Sequence, residues 1–169
     1  MLYLGKTSLI KQLLNLDEFK NSHHINQDEF FYKKESGALE FIADLNSFNY
    51  DCLKAIDSQK FYNSYQNCIS SMSHLDYLFI DGFLLFYFKD IKYDRKFFFT
   101  LTKNECKERR SKRNYKTVGT LNYFEHLVWP NYEEYFSFCE NTFSDIVYLN
   151  GADSLENNVN LVTNELKNI

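Results

Sequence analysis

The chain has 169 residues, the size of one domain built around a single hydrophobic core. Hydrophobic residues make up 44% and charged residues 25% of the chain, which excludes a largely disordered protein, and a net charge of -4 gives no general attraction to nucleic acid or anionic membranes. The longest apolar run, 79–88, contains Asp81 and is too short to span a bilayer. Widely spaced cysteines without a CxxC pair predict reduced thiols, so we expect a cytoplasmic protein.

Hydrophobic periodicity predicts helices that alternate with strands along the chain. In chain order we predict a helix over 7–16, a short strand over 23–27, an irregular exposed segment over 37–49, a helix over 51–72, strands over 77–80 and 96–101, a helix over 104–113 with Asn104 as its N-cap, a helix over 132–141, a strand over 146–149 and a last helix over 154–167 capped by Ser154. This alternation favours an α/β fold in which a parallel sheet carries helices on both faces.

A phosphate-binding motif is present in part at the start of the chain. Gly5-Lys6-Thr7-Ser8 leads into the first predicted helix and matches the second half of G-x-x-x-x-G-K-[ST]. In that motif backbone N–H groups bind phosphates, the lysine contacts the terminal phosphates and the hydroxyl binds Mg²⁺. The alternative is a solvated lysine near a helix N-terminus. The first glycine of the motif would fall one residue before Met1, so we expect the first central strand of the sheet to be missing from this sequence.

Two acidic residues follow predicted strands, at the sheet edge where parallel α/β folds bind ligands. Asp28 comes after the strand over 23–27, where its carboxylate could accept the proton of a substrate hydroxyl. The alternative is an acidic first turn of a helix. Asp81 ends the apolar strand over 77–80, a common setting for a carboxylate that organises Mg²⁺, although many apolar strands end in an acid.

A basic run over 107–116 has three interpretations: a solvated helix face, a nucleic-acid patch, or a lid that closes on ATP. The acidic net charge of the chain disfavours nucleic acid. Arg109 and Arg113 are four residues apart and share a helical face, as two arginines that clamp one polyphosphate would.

Three longer segments, in this order and spacing, resemble nicotinamide riboside kinases. They are Ile-Asp-Gly-Phe-Leu-Leu-Phe at 80–86, Glu-Cys-Lys-Glu-Arg-Arg-Ser-Lys-Arg-Asn-Tyr at 105–115 and His-Leu-Val-Trp-Pro at 126–130. The segments 27–31 and 50–53 are similar to the family's substrate segments. The resemblance implies a single three-layer P-loop kinase domain over 1–169 with a short lid at about 104–120. It also implies ATP-dependent phosphorylation of nicotinamide riboside to nicotinamide mononucleotide in NAD biosynthesis, with ATP and Mg²⁺ as cofactors and neither nucleic acid nor membrane as partner.

The resemblance also implies a role for each matching residue. Asp28 would be the general base for the ribose 5′-hydroxyl, Tyr50 would stack on the nicotinamide ring and Asp51 would bind the ribose hydroxyls. The residues expected to bind ATP are Gly5, Lys6, Thr7, Ser8, Arg109, Arg113 and Tyr115. The residues expected to hold Mg²⁺ are Thr7, Asp28 and Asp81. The further residues expected to contact the substrate are Glu29, Phe30, Phe31, Arg110, Tyr115 and Lys116.

Three positions depart from the family pattern. Glu29 stands where a second Asp is usual, Asp81 stands where Glu is common, and Lys116 replaces an uncharged polar residue. Two alternatives to the kinase therefore stay open: a non-catalytic relative that binds a nucleoside or a protein partner, and a related uridine- or pantothenate-type kinase.

Overall fold

A computed structural model describes residues 5–72, 74–112 and 121–168, and within them helices alternate with strands. The helices are α1 (Lys6–Leu13), α2 (Ser58–Ser71), α3 (Lys103–Ser111), α4 (Leu121–Tyr123), α5 (Trp129–Thr142) and α6 (Leu155–Leu166), and a π-helical turn (Phe124–Val128) joins α4 to α5. The strands are β1 (Ser22–Asn26), β2 (Phe41–Ile42), β3 (Ser47–Phe48), β4 (Tyr77–Asp81), β5 (Lys96–Thr100) and β6 (Ile146–Asn150). The predicted α/β class is confirmed.

The longer strands pair in parallel, as the sequence predicts. β1 lies beside β4, with Ser22 opposite Tyr77 and Asn26 opposite Asp81. β5 lies beside β6 in the same manner, and β2 and β3 form a short antiparallel pair. The described strands do not form one continuous sheet, because no described strand joins the β1–β4 pair to the β5–β6 pair.

A cavity of about 520 Å³ is lined by both β4 and β5. Its walls are largely apolar and include Leu13 of α1, Phe98 of β5 and Leu166 of α6. Lys6 and Asp81 line the same cavity, so it reaches the carboxyl end of β4.

The hydrophobic core contains separate clusters on the two strand pairs. One cluster packs α1 and α6 against β5 and β6, and Leu13, Leu149 and Val162 are each at most 1% exposed there. A second cluster packs α2 against β1, with Phe61 fully buried. No helix in the described part of the chain is long and apolar enough to cross a membrane.

Two predicted segments differ from the structure between residues 37 and 57. The segment over 37–49 is not wholly irregular and exposed, because it contains the β2–β3 pair and buries Ser47 and Asn49. The helix predicted from residue 51 begins only at Ser58, where the Asp57 carboxylate caps it by accepting a 3.0 Å hydrogen bond from the Lys60 N–H. Asp51 is held outside the helix, because its N–H donates to the Asn49 side chain and its carbonyl accepts from Asn131.

The start of α3 also differs by two residues from the prediction. Thr102, not Asn104, is its N-cap, because the Thr102 hydroxyl accepts from the Glu105 N–H while the Glu105 carboxylate accepts from the Thr102 N–H. The two bonds form a capping box. α5 begins at Trp129 rather than at residue 132, since Pro130 fits the first turn of a helix, where its missing N–H costs nothing.

Candidate active site

The N-terminus of α1 meets the carboxyl end of β4 at a buried carboxylate. Gly5 caps α1 with a φ of 97°, a left-handed conformation that favours glycine. Two residues later the Thr7 hydroxyl donates a 2.6 Å hydrogen bond to Asp81 Oδ2. The partial phosphate-binding motif and the acid that ends β4, which are 74 positions apart in sequence, therefore lie side by side.

Lys6, Asp28 and Asp81 form one electrostatic group. Burial lowers the pKa of the Lys6 ammonium, while the nearby carboxylates of Asp28 and Asp81 raise it. Burial raises the pKa of Asp28 above its ordinary value, Lys6 opposes that rise and Asp81 adds to it. The group therefore pairs a cation suited to phosphate with a carboxylate whose affinity for a proton is increased.

The Asp81 carboxylate stays ionised because polar groups approach both of its oxygens. Burial alone would raise its pKa, but hydrogen-bonding interactions with His24 and Thr7 and the charge of Lys6 outweigh burial, so the net pKa is lowered. His24 of β1 places Nε2 3.3 Å from Asp81 Oδ1. No sequence motif marks His24 as a site residue, and only the pairing of β1 with β4 brings it to the site.

Gln27 joins β1 to the segment after β4. Its side chain is fully buried, and its Oε1 accepts from the N–H groups of Phe83 and Leu84 at 3.1 and 3.3 Å. A Cβ on Gly82 would lie 2.4 Å from that Oε1, so only glycine fits at this position. These contacts fix the backbone next to both Asp28 and Asp81.

A second polar group surrounds Asp51, whose side chain is buried. The Tyr123 hydroxyl donates to Asp51 Oδ2 at 3.1 Å and accepts from the Tyr50 N–H at the same distance. Arg110 is also buried, with its guanidinium 5.7 Å from the centre of the Tyr123 ring. No sequence motif marks Tyr123, although it contacts three of the predicted substrate residues.

An aromatic surface made of Tyr50, Phe31 and Phe83 lies beside this group. The rings of Tyr50 and Phe31 meet edge to face with centres 5.8 Å apart, and Phe31 stacks on Phe83 at 5.7 Å. All three rings are partly exposed, so they can contact a ligand. Phe30, by contrast, is in the core against Phe61, which favours a packing role.

Among the remaining predicted site residues, some are exposed, one donates to a backbone carbonyl, and others fall outside the described residues. Ser8 and Glu29 are exposed. Arg109 donates a hydrogen bond to the Gly151 carbonyl, which ties α3 to the loop after β6. The lid residues Arg113, Tyr115 and Lys116 fall within 113–120, which the structure does not describe.

The residues around Asp81 are compatible with Mg²⁺. The ionised Asp81 carboxylate lies beside the Thr7 hydroxyl and close to Lys6, so it can bind a cation next to a phosphate. Within the described ranges no cluster of three His, Cys, Asp or Glu residues forms a cage for a metal. Mg²⁺ in phosphate-transfer sites is held by one or two carboxylates together with the substrate's phosphates, which matches this sparse set.

Known proteins that are similar to this chain are nicotinamide riboside kinases, the family that the sequence motifs indicate. The chain is 35% identical to nicotinamide riboside kinase 1 of Homo sapiens over 167 positions, covering 90% of this chain and 81% of that protein. It is 34% identical to nicotinamide riboside kinase 1 of Rattus norvegicus, covering 96% of this chain and 88% of that protein. Nicotinamide riboside kinase 2 of Homo sapiens is 30% identical, with coverages of 97% and 76%. No protein-family model matches the chain.

Proposed function

Because this chain belongs to the nicotinamide riboside kinase family, we propose that it phosphorylates the 5′-hydroxyl of nicotinamide riboside with ATP, giving nicotinamide mononucleotide and ADP. The observation that carries the proposal is the meeting of Lys6, Thr7, Asp28 and Asp81 at one end of β4. It is a phosphate-binding lysine and hydroxyl beside two carboxylates, the set of groups that phosphoryl transfer requires.

Asp28 is the proton acceptor of the proposed reaction. As the 5′-oxygen forms its bond to the γ-phosphorus, the bond from that phosphorus to the β,γ-bridging oxygen breaks and ADP leaves. The hydroxyl proton passes to the Asp28 carboxylate, whose raised pKa favours its acceptance. Lys6 lies close enough to interact with Asp28 and supplies positive charge to the phosphates.

Thr7 and Asp81 would hold Mg²⁺, since the oxygen of the Thr7 hydroxyl can bind a cation while its O–H donates to Asp81. When bound, Mg²⁺ neutralises the charge that develops on the transferring phosphate and its leaving group. Asp81 is kept ionised for this role by its polar neighbours.

Tyr50 and Asp51 would select the nucleoside. Nicotinamide riboside carries a cationic pyridinium ring, and a cation over a tyrosine face gains about 0.5–2 kcal/mol. The Asp51 carboxylate is buried beside Tyr50 and accepts a hydrogen bond from Tyr123, and a carboxylate at this position suits the hydroxyls of a ribose diol. Arg109 and Arg113 would contribute positive charge to ATP from the lid.

Substrate competition tests the pyridinium preference. We expect nicotinamide riboside to be turned over with a higher kcat/KM than uridine, and Tyr50→Leu to lower this preference about 2- to 30-fold, as the loss of one cation–π contact predicts. Phe41→Leu, at an exposed ring outside the site, is the matched control and should leave the ratio unchanged. An unchanged ratio in Tyr50→Leu would remove Tyr50 from the substrate site.

A further inference from the structure

His24 lies against the carboxylate of Asp81, although the sequence motifs give His24 no role. It is two residues before Asn26, which lies opposite Asp81 in the parallel β1–β4 pair. Because side chains alternate along a strand, His24 and Asn26 lie on the same face of β1, so the imidazole is next to the end of β4. Its Nε2 is 3.3 Å from Asp81 Oδ1.

His24 Nε2 and Asp81 Oδ1 are both buried polar atoms. The side chains of His24 and Asp81 are 20% and 3% exposed. Neither His24 Nε2 nor Asp81 Oδ1 makes a well-aligned hydrogen bond within the described part of the chain, so each faces the other as a buried polar atom. A buried polar atom without a hydrogen-bond partner is destabilising, so a small adjustment that aligns the two is favourable.

Asp81 is thereby held from two sides. The Thr7 hydroxyl fixes Oδ2 at 2.6 Å, and the His24 ring faces Oδ1. Groups that orient a metal-binding carboxylate from behind reduce the ordering that binding requires.

We propose that His24 is a positioning residue that donates a hydrogen bond from Nε2 to Asp81 and orients its carboxylate for the cation of the metal–nucleotide complex. The inference rests on the proposed function, because it takes Asp81 as the metal-binding carboxylate. His24 does not touch the substrate; it acts through Asp81.

Two amide substitutions separate this role from simple packing. The side-chain nitrogen of glutamine reaches the position of histidine Nε2, whereas that of asparagine reaches only the position of Nδ1. His24→Gln therefore retains the donor near Asp81, and His24→Asn removes it while keeping a polar amide. His23→Asn is the matched control, since His23 lines a different, shallow cavity beside α2.

The test measures Mn²⁺ binding to the full chain in the presence of a non-hydrolysable ATP analogue, by the electron paramagnetic resonance signal of free Mn²⁺. We expect His24→Asn to weaken Mn²⁺ binding about 10-fold, and His24→Gln and His23→Asn to stay close to the unsubstituted protein. Thermal unfolding of each variant without nucleotide confirms that it is folded. If His24→Asn does not fold, His24→Gln is compared with His24→Leu.

Three results would overturn the proposal. Equal Mn²⁺ affinity in every variant would mean that His24 does not orient Asp81, and equal losses in the Gln and Asn variants would indicate packing alone. Failure of the unsubstituted protein to bind the metal–nucleotide complex would leave no bound cation to position. Turnover is measured separately: the expected binding pattern without nucleotide product from nicotinamide riboside would refute the proposed function and leave the role of His24 intact.

Discussion

Asp28 ionises in surroundings that oppose its negative charge. Burial is the main cause of its raised pKa, and the attraction of Lys6 does not fully offset it. Because its folded-state pKa is above the unfolded value, Asp28 favours the folded state most at low pH, and this contribution is lost as the pH rises through the folded-state pKa. A carboxylate kept at a cost in stability is typical of a functional residue.

Replacing Asp28 should therefore separate activity from stability. We expect Asp28→Asn to lower kcat with nicotinamide riboside by about 10²-fold or more, since the proposed proton acceptor is removed. The same variant should unfold at a higher temperature than the unsubstituted protein at pH 8, with a smaller difference at pH 4, because only the ionised carboxylate is penalised. Steady-state kinetics and thermal unfolding at both pH values measure the two effects.

Asp44→Asn provides the control for Asp28, since Asp44 is exposed on a surface turn. It should change neither kcat nor the pH dependence of unfolding. Full activity in Asp28→Asn would show that another group accepts the proton.

At the scale of the elements, α3 carries Arg109 and Arg110 on a helix whose start is defined by side-chain hydrogen bonds. Thr102 and Glu105 form the capping box, and Cys106 packs into the core one residue later. Loss of this cap would loosen the first turn of the helix that presents both arginines.

We expect Thr102→Ala to lower the free energy of unfolding by about 1 kcal/mol, because the capping hydroxyl is lost. Asn104→Ala, at the residue that the sequence predicts as the cap, should have a much smaller effect. Urea unfolding of both variants gives the comparison. Equal losses, or a larger loss in Asn104→Ala, would contradict the helix start at Lys103.

The elements also show which features could be predicted from the sequence. Local periodicity placed β4, β5, β6 and α6 within one residue or so at each end, because their own hydrophobic patterns and caps determine them. It failed over 37–57, where partners far along the chain bind the backbone: Tyr123 binds the Tyr50 N–H and Asn131 binds the Asp51 carbonyl. Such contacts leave no local pattern.

The residues of the candidate site also fall into those that the sequence could predict and those that it could not. Lys6, Thr7, Asp28 and Asp81 belong to short motifs or to strand ends, so sequence alone could propose them. His24 and Tyr123 reach the site only through strand pairing and helix packing, and the aromatic content of the chain hides Tyr123 among many other rings.

At the scale of the whole molecule, the chief feature is the gap between the two parallel strand pairs. β4 and β5 each have 5 residues, and within the described residues each pairs with one other strand. The cavity lined by both strands is mostly apolar.

Nicotinamide riboside kinases are phosphotransferases, and this chain belongs to their family. The most direct measurement is formation of nicotinamide mononucleotide and ADP by the purified protein with nicotinamide riboside, ATP and Mg²⁺, followed by liquid chromatography beside Asp28→Asn. We predict that the two products form in equal amounts, only when the riboside is present, and at least about 10²-fold more slowly in the variant. ADP release that does not depend on the riboside, or no product under any condition, would contradict the assignment of this chain as a nicotinamide riboside kinase.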